Sequence, residues 1–473
     1  MISSEPDGRP PLARILQVVG AISVFALLGW LTLRGLSLEQ LMVPAAALGL
    51  PIYLIVLVDP ILGLAILIAC IGLSPEFSFG GVQNLRIEDF LVPGLLLGWM
   101  LRAGRERAPL APTRLWTPAL TAAAAMIFST IAGASAGSAG ASKAILILGK
   151  YAEYLAIYLL IINTVKTEAE VRALTIFAIM VALTSASLSF SGTVGHSGDT
   201  GEGRVHGPEG ETSNIYGAYL GLHLLMALGL FLHTTSEGGR LLGGTAVVVL
   251  GIAILSTYSR TTYVAMGAAI LVFGSLKHRR LLIILVILAF IIPWLAPASV
   301  TERLATVGGV ASGPTPYSWA ARLYAWQWAM NRMSPVDTLF GRGIGSVGFG
   351  DVDSEYVRIF SDTGAVGILL FGWLLLRMGK MANAAYNALP ADTFPHGFMA
   401  GYLMGLVAII VHAVAATTFS AIRTEETFMV LTGLMTVIAN NTESLNSSPT
   451  DRPVVLLRNV AVLEPQPQAR PFI

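Results

Sequence analysis

The sequence predicts an all-α polytopic membrane protein with about 12–14 transmembrane helices and one large outer loop near residues 298–363. Hydrophobic residues make up 54% of the chain and charged residues 12%, whereas soluble domains carry roughly 25% charged residues. The mean hydropathy is +0.71. Apolar runs close to the length that crosses a bilayer recur along most of the chain. Together these observations predict a bundle of membrane-spanning helices.

Fourteen apolar runs are long enough to span a bilayer, or nearly so. In chain order they lie near residues 15–33, 41–58, 60–74, 89–101, 117–133, 144–162, 172–190, 213–232, 242–257, 262–276, 281–297, 364–378, 398–418 and 425–439. Several are shorter than about 20 residues, which is why the predicted total is a range. The first run lacks a small-residue cleavage pattern after it, so we expect a retained helix and not a signal peptide.

The distribution of Lys and Arg predicts the orientation of the spans, because these residues accumulate in cytoplasmic loops. With the N-terminus inside, seventeen of them fall on the cytoplasmic side and six in the short loops of the opposite side. Loops 191–212, 257–262 and 298–363 are then outside. Residues 1–440 form the predicted membrane domain. Residues 441–473 are polar and contain proline, and we expect a disordered cytoplasmic tail.

Charge and cysteine content exclude several classes of function. The formal net charge of +1 argues against a nucleic-acid partner, which would require a clustered basic excess. The single cysteine, Cys70, lies inside an apolar run and excludes a disulfide framework. The seven histidines show no metal-ligand spacing, so we predict no metal site.

The first outer loop is dense in polar side chains, with Arg204, His206, Glu209 and Asn214 within eleven residues. One interpretation is a solvated hydrophilic loop in which Thr212 or Ser213 caps the following helix. The alternative is that this loop contributes to a binding site at the edge of the membrane.

The second outer loop is a short polar break centred on Arg260, between Ser259 and Thr261. An arginine at this depth can extend its head group to the membrane surface. Alternatively, its fixed set of donors binds a phosphate or diphosphate in a bidentate manner, and the flanking hydroxyls favour that interpretation.

The large loop contains Arg322 within an aromatic segment that has the pattern of an amphipathic helix. Leu323, Trp326 and Met330 fall on one side of this helix, and Tyr324 lies beside them. An interfacial helix anchored by tryptophan explains the pattern. A sugar-phosphate site explains it equally, because aromatic rings offer an apolar face to pyranose carbons.

Three further features of the sequence bear on the candidate site. Residues 341–348 are rich in glycine, but no strand precedes them, so a flexible turn is favoured over an anion cradle. Asp353 or Ser354 is either a helix cap or, for the carboxylate, a general base. Lys150 and Glu153 lie three residues apart within a span and are interpreted as a self-compensating ion pair.

Taken in order, these segments resemble the bacterial O-antigen polymerase and O-antigen ligase superfamily of membrane glycosyltransferases, across roughly residues 140–420. The segments that carry the resemblance are Arg204-x-x-Gly207 with Asn214, Ser259-Arg260-Thr261, Arg322 with Trp326, Leu339-Phe340-Gly341-x-Gly343-x-Gly345, Asp353-Ser354-Glu355-Tyr356 and Gly364-x-x-Gly367.

The resemblance implies a glycan donor linked to undecaprenyl diphosphate, a sugar hydroxyl as acceptor, and inversion at the anomeric carbon. It places a multi-pass enzyme in the bacterial cytoplasmic (inner) membrane with its active site facing the periplasm. No cofactor is implied, because the donor is already activated. The lipid bilayer is a partner, and a chain-length regulator or flippase is a candidate partner.

The resemblance also assigns roles to individual residues. The diphosphate is expected to bind Arg260 and Arg322, with Arg204 as a third candidate. The glycan is expected to contact Trp326, Tyr324, Asn214 and Tyr356. The catalytic base is expected to be Asp353, Glu355 or His206.

Polymerase activity is preferred over ligase activity within this superfamily. Ligases carry a histidine where this chain has Asp353-Ser354. Ligase-type transfer to lipid A core or another acceptor remains the alternative. Two rivals are a lipid-linked oligosaccharide flippase or transporter, and a cell-wall glycosyltransferase that uses the same lipid carrier. The halves of the chain show no convincing internal repeat, which many transporters have.

Overall fold

The structure is a computed structural model, and it describes residues 59–74, 77–79, 82–138, 140–190, 205–207, 211–295, 317–347 and 352–446. Within these residues the chain is helical apart from one short antiparallel hairpin, so the predicted all-α polytopic class is confirmed. Predicted spans 15–33 and 41–58, residues Arg204 and Glu209, and the tail from residue 447 lie outside the described residues.

The described part of the chain contains fourteen α-helices, two short strands and one 3-10 turn. They are α1 (Pro60–Leu73), β1 (Phe77–Phe79), β2 (Val82–Leu85), α2 (Glu88–Glu106), α3 (Trp116–Ser135), α4 (Ala141–Thr164), α5 (Glu168–Phe190), α6 (Ser213–His233), α7 (Glu237–Ser256), α8 (Arg260–Leu276), α9 (Arg280–Leu295), α10 (Tyr317–Asn331), α11 (Pro335–Phe340), α12 (Glu355–Ala388), α13 (Phe394–His412), a 3-10 turn (Thr418–Ser420) and α14 (Ile422–Asn446).

Each of the twelve predicted spans that fall within the described residues coincides with one helix, namely α1–α9 and α12–α14. Seven helices of the described part, α3–α7, α12 and α13, are long and apolar enough to cross a membrane, and α1 and α8 are shorter apolar helices. Because helices satisfy their own backbone hydrogen bonds, such segments suit a bilayer.

Caps define where two of the helices begin. The hydroxyl of Thr212 accepts the backbone N–H of Ile215 at 3.5 Å, which confirms the predicted cap of α6. The hydroxyl of Ser259 accepts the backbone N–H of Thr262 at 3.2 Å and caps α8. Both caps satisfy donors that a helix leaves open at its start.

Close backbone packing joins α6 to α13. A side chain on Gly229 would collide with the backbone of Gly397 and Gly401, so these glycines let the two helices approach one another. Helix α14 lies at the centre of the bundle, where it contacts α1, α4, α5, α6, α12 and α13. The ends of these helices therefore meet around the start of α14.

Helix α12 begins earlier than the sequence predicts. Residues 355–363 were assigned to the outer loop, but they form a helical segment that ends in a break at Gly364, where φ is 66° and ψ is −166°. Glu355, Arg358 and Asp362 in this segment are buried. Their polarity suggested a solvated loop, whereas in the fold they bind one another and neighbouring helices.

Candidate functional site

Buried polar side chains gather at one end of the bundle. They lie at the end of α1, at the starts of α2, α6, α8, α12 and α14, and at the end of α13. In an alternating bundle these positions share one face, and the Lys and Arg distribution assigns that face to the outside. Burying so many polar groups requires partners for them, and their partners define the candidate site.

Arg322 of α10 and Asp353, just before α12, form an ion pair. Nε of Arg322 lies 3.5 Å from Oδ2 of Asp353. The arginine side chain is 21% exposed and the aspartate side chain 57% exposed. The structure thus brings together a predicted diphosphate ligand and a predicted base, in a place that both solvent and substrate can reach.

Packing of α10 positions Arg322. Trp326 and Met330 pack against a small cluster formed by Ala329, Val347 and Val352. The indole Nε1 of Trp326 is buried and has no hydrogen-bond partner among the described residues. The predicted helix is therefore present, and Trp326 and Met330 face protein, but Leu323, the third residue of the predicted apolar side, is 39% exposed.

Two aromatic residues predicted to contact glycan lie apart from this pair. Tyr324 is 72% exposed, on the outward side of α10. The hydroxyl of Tyr356 donates to the carbonyl of Ile410 at 2.7 Å. As the structure stands, Tyr356 fastens α12 to α13, and Tyr324 faces away from the bundle.

A chain of hydrogen bonds crosses the starts of α6 and α8 and the end of α13. Ser259 Oγ donates to Asn214 Oδ1 at 2.6 Å, and Thr262 Oγ1 donates to Ser259 Oγ at 2.9 Å. His412 continues the chain, with Nε2 3.3 Å from Thr262 Oγ1 and Nδ1 2.8 Å from the hydroxyl of Thr418. The backbone N–H of Glu355, two residues after Asp353, donates to the carbonyl of Ala413, the residue after His412, at 3.0 Å, so this chain adjoins the ion pair.

His412 was not predicted as a site residue. It lies within an apolar run, where a single histidine has the appearance of a core residue. The sequence offers one signal, the polar pair Thr417-Thr418 shortly after His412. It indicates that this end of the span is rich in hydroxyl groups.

The remaining predicted residues of the first two outer loops are placed as follows. Arg260 is the first residue of α8, directly after Ser259, and is partly buried. The ring Nδ1 of His206 lies 3.1 Å from the hydroxyl of Ser213, the neighbour of Asn214. His206 is held there because the preceding backbone N–H, of Val205, donates to the carbonyl of Ser256 at 3.0 Å.

Glu355 differs from Asp353 in its surroundings. Its side chain is fully buried, forms an ion pair with Arg358 and accepts the hydroxyl of Ser420 at 2.8 Å. Arg358 in turn donates to the hydroxyl of Tyr151 at 2.7 Å. Glu355 therefore ties the start of α12 to α4 and to the segment before α14.

The glycine-rich segment is a turn, as predicted, and its N–H groups are engaged by the protein. Gly343 N–H donates to Ser129 Oγ at 3.2 Å and to the carbonyl of Asp362 at 3.0 Å, and Ile344 N–H donates to Thr130 Oγ1 at 3.4 Å. Positive φ values at Gly341, Gly343 and Gly345 permit this path. The turn fixes α12 to α3 and does not cradle an anion.

Two buried arginines stabilise the end of α1. Arg86 donates to the carbonyl of Ile71 at 2.9 Å and forms an ion pair with Glu88 at 2.7 Å. Arg423 donates to the carbonyl of Gly72 and forms an ion pair with Glu211 at 2.9 Å. Cations are favourable at the C-terminus of a helix, so both arginines serve the fold.

Lys150 and Glu153 form the predicted ion pair, at 3.1 Å, and Lys150 also binds Asp89. Among the described residues, no group of three or more histidine, cysteine or acidic side chains is arranged to hold a metal ion.

No curated protein matches the chain. Residues 245–372 match a family model described as O-antigen ligase. The matched segment extends from α7 to α12 and contains Arg260, Arg322 and Asp353. The match covers 128 of the 473 residues, and over that segment it supports the resemblance to the O-antigen polymerase and ligase superfamily.

Proposed function

We propose that the chain polymerises undecaprenyl-diphosphate-linked oligosaccharide repeat units into a surface polysaccharide, by inverting glycosyl transfer on the outer face of the bacterial cytoplasmic membrane. The observation that carries the proposal is the ion pair of Arg322 with Asp353 beside the hydrogen-bonded chain from Asn214 to His412. This arrangement provides a cation that can bind a diphosphate and a carboxylate that can accept the proton of a hydroxyl group.

Arginines stabilise the leaving group in this proposal. Negative charge grows on the lipid diphosphate as the glycosidic bond breaks, and guanidinium donors lower the energy of that charge. Arg322 contacts Asp353 through Nε. The guanidinium has four further N–H donors that suit phosphate oxygens. Arg260 supplies a second guanidinium at the start of α8, and Arg204 is proposed as a third.

Asp353 is the proposed base. It removes the proton from the acceptor hydroxyl while that oxygen forms a bond to the anomeric carbon and the bond to the diphosphate oxygen breaks, with the electron pair leaving on the lipid diphosphate. Asp353 suits this role better than Glu355, which is fully buried against Arg358 and Ser420. His206 stays an alternative base.

Trp326 and Asn214 are the preferred glycan contacts in this proposal, because Trp326 packs beside Val352, the residue before the base, and Asn214 belongs to the hydrogen-bonded chain. Tyr324 remains a proposed contact for an extended glycan, because its exposed ring offers an apolar face at the rim. Tyr356 can contact the glycan through its hydroxyl only if that hydroxyl gives up its hydrogen bond to the carbonyl of Ile410.

Ligase-type transfer is the second candidate function, and the family match is compatible with either activity. Against it, no histidine occurs between Gly341 and Thr363, the segment where ligases carry one. A flippase or transporter is less favoured, since the buried Arg, Asp and Glu side chains of the described residues gather at one end of the bundle.

Vesicles that contain the full chain and a lipid-linked repeat unit test the proposal. Arg322→Ala and Arg260→Ala are expected to abolish growth of glycan on the lipid carrier. Arg332→Ala is the matched control, since Arg332 at the end of α10 stacks on Trp328 at 4.4 Å. Normal glycan growth with both the Arg322→Ala and the Arg260→Ala variants would contradict the proposed diphosphate site. Transfer to lipid A core instead of chain growth would establish the ligase alternative.

A chain-length regulator or flippase is a proposed partner of this reaction. Co-purification of such a partner with the wild-type chain tests it separately from the activity.

A further inference from the structure

A cavity of about 480 Å³ lies at the opposite end of the bundle from the candidate site. It is lined by the first half of α5, the end of α6, the start of α7 and the residues before α13. The Lys and Arg distribution assigns this end to the cytoplasm. Nothing in the proposed transfer reaction uses it.

The cavity exists because α5 and α7 diverge. At their outer ends the helices pack together through a common cluster that includes Ala182, Ala186, Leu250 and Ala253. Toward the cytoplasmic ends they separate, and α6 forms the back wall with residues such as Leu230. Small residues on α7, including Gly243, leave the space open.

The depth of the cavity equals about one leaflet. Its lining extends along α5 from Glu168, the first residue, to Met180. At 1.5 Å per residue that distance is roughly 18 Å. The hydrocarbon core of a bilayer is about 30 Å thick, so the cavity runs from one membrane surface to near the midplane.

The walls and the rim differ in chemistry. Deep lining residues are apolar, including Ile179, Ala227 and Ala246. The rim carries one cation, Arg172, and two acids, Glu168 and Asp392. An apolar shaft with a charged mouth fits an amphiphile whose head group carries charges of both signs.

We infer that this cavity binds one zwitterionic phospholipid of the cytoplasmic leaflet, with a phosphate and a primary amine in its head group. One acyl chain fills the apolar shaft. The phosphate binds Arg172, and the ammonium binds Glu168 or Asp392. A purely anionic head group would leave both acids without a counter-charge.

The ion pair at the rim is suited to this exchange. Arg172 Nη2 lies 2.9 Å from Glu168 Oε1, and both side chains are about half exposed. Exposed pairs of this kind contribute on the order of 0–1 kcal/mol, so a head group replaces the contact at little cost. The ring of Phe394, 5.0 Å from the guanidinium, keeps Arg172 at the mouth during the exchange.

The test counts phosphatidylethanolamine molecules bound to the full chain by native mass spectrometry in a mild detergent. Leu242→Trp fills the cavity from a partly exposed position. Leu241→Trp is the matched control, because Leu241 is the next residue, is 75% exposed and does not line the cavity. Affinity is expected to fall about tenfold only in Leu242→Trp, a loss of about 1.4 kcal/mol.

Head-group recognition is tested with Arg172→Gln, which is expected to weaken phosphatidylethanolamine binding. Arg114→Gln is its control, because Arg114 also forms an exposed ion pair, with Glu443 at 3.1 Å. Thermal unfolding checks that each variant is folded. Equal binding by the two tryptophan variants would overturn the proposal. Equal affinity of the wild type for phosphatidylglycerol, which has no amine, would overturn the zwitterionic assignment.

Discussion

Ser259 donates its hydroxyl hydrogen to Oδ1 of Asn214 at 2.6 Å, across 45 residues of sequence. This bond joins the start of α6 to the start of α8, and Thr262 extends it to His412. Two outer segments, each only a weak motif in the sequence, are thereby parts of one structure. Arg260 follows Ser259 directly, so the bond also positions the proposed diphosphate ligand.

Replacing Ser259 by alanine tests this bond. The variant loses the cap of α8 and leaves Asn214 short of a donor, each change costing about 1 kcal/mol. We expect a lower melting temperature and a transfer rate reduced further than the stability loss explains, because Arg260 is displaced. Ser256→Ala is the control, since the hydroxyl of Ser256 donates to the carbonyl of Ile252 within its own helix. Equal effects of the two variants would refute the positioning role.

Asp353→Asn tests the proposed base. An amide retains the shape of the carboxylate but cannot accept the proton of a hydroxyl, and general base catalysis contributes about 10²–10⁴-fold. We expect a loss of that order in turnover with an unchanged melting temperature. Asp337→Asn is the control, because Asp337 belongs to the capping box of α11 with Ser334. A fully active Asp353→Asn variant would leave only His206 or Glu355 as the base.

His412→Phe tests whether the buried chain supports the site. The ring hydrogen bonds to Thr262 and Thr418 are lost. Thr262 keeps its bond to Ser259, whereas loss of the bond to the buried Thr418 hydroxyl costs about 1–3 kcal/mol. We expect lower stability together with a lower transfer rate. His412→Gln, which keeps one polar contact, should recover part of both. Full activity of His412→Phe at normal expression would show that the chain serves folding alone.

Gly364→Ala is expected to disrupt the break in α12. Gly364 has a φ of 66°, and a side chain there would collide with the backbone of Leu339. Strain of this kind costs on the order of 1–3 kcal/mol. Gly372→Ala, in the same helix and in open space, should be neutral or slightly stabilising. Thermal unfolding in detergent compares the two, and equal melting temperatures would contradict the structural role of Gly364.

Glu426→Gln and Glu88→Gln should have opposite effects on the stability of the folded protein. Neither carboxylate oxygen of Glu426 has a hydrogen-bond partner among the described residues, although the side chain is fully buried. A neutral amide there removes the cost of burying a charge, so stability should hold or rise. Glu88 accepts the hydroxyl of Ser74 at 2.6 Å and pairs with Arg86, so its loss should cost about 3–5 kcal/mol. Thermal unfolding of both variants decides this.

Local sequence predicted the helices well. The twelve spans within the described residues were found from runs of apolar residues, and the cap at Thr212 and the pair of Lys150 with Glu153 were found from spacing along one helix. The span predicted at 364–378 does not include the first segment of α12, residues 355–363, although Ser354, one of the two predicted cap residues, does occupy its N-cap position. Hydropathy cannot distinguish a polar loop from a buried helix whose charged residues bind each other, as Glu355 and Arg358 do.

The sequence by itself determined the membrane class and the order of the spans, and it predicts an outer face for Arg260, Arg322 and Asp353. These properties depend on the apolar content and charge of short segments, because each segment inserts into the bilayer according to its own composition. Only the tertiary structure decided which polar residues meet. It paired Arg322 with Asp353, buried Glu355 against Ser420 and brought His412 to Thr262, 150 residues away. Such contacts depend on how helices pack, and the spacing of residues along the chain does not encode them.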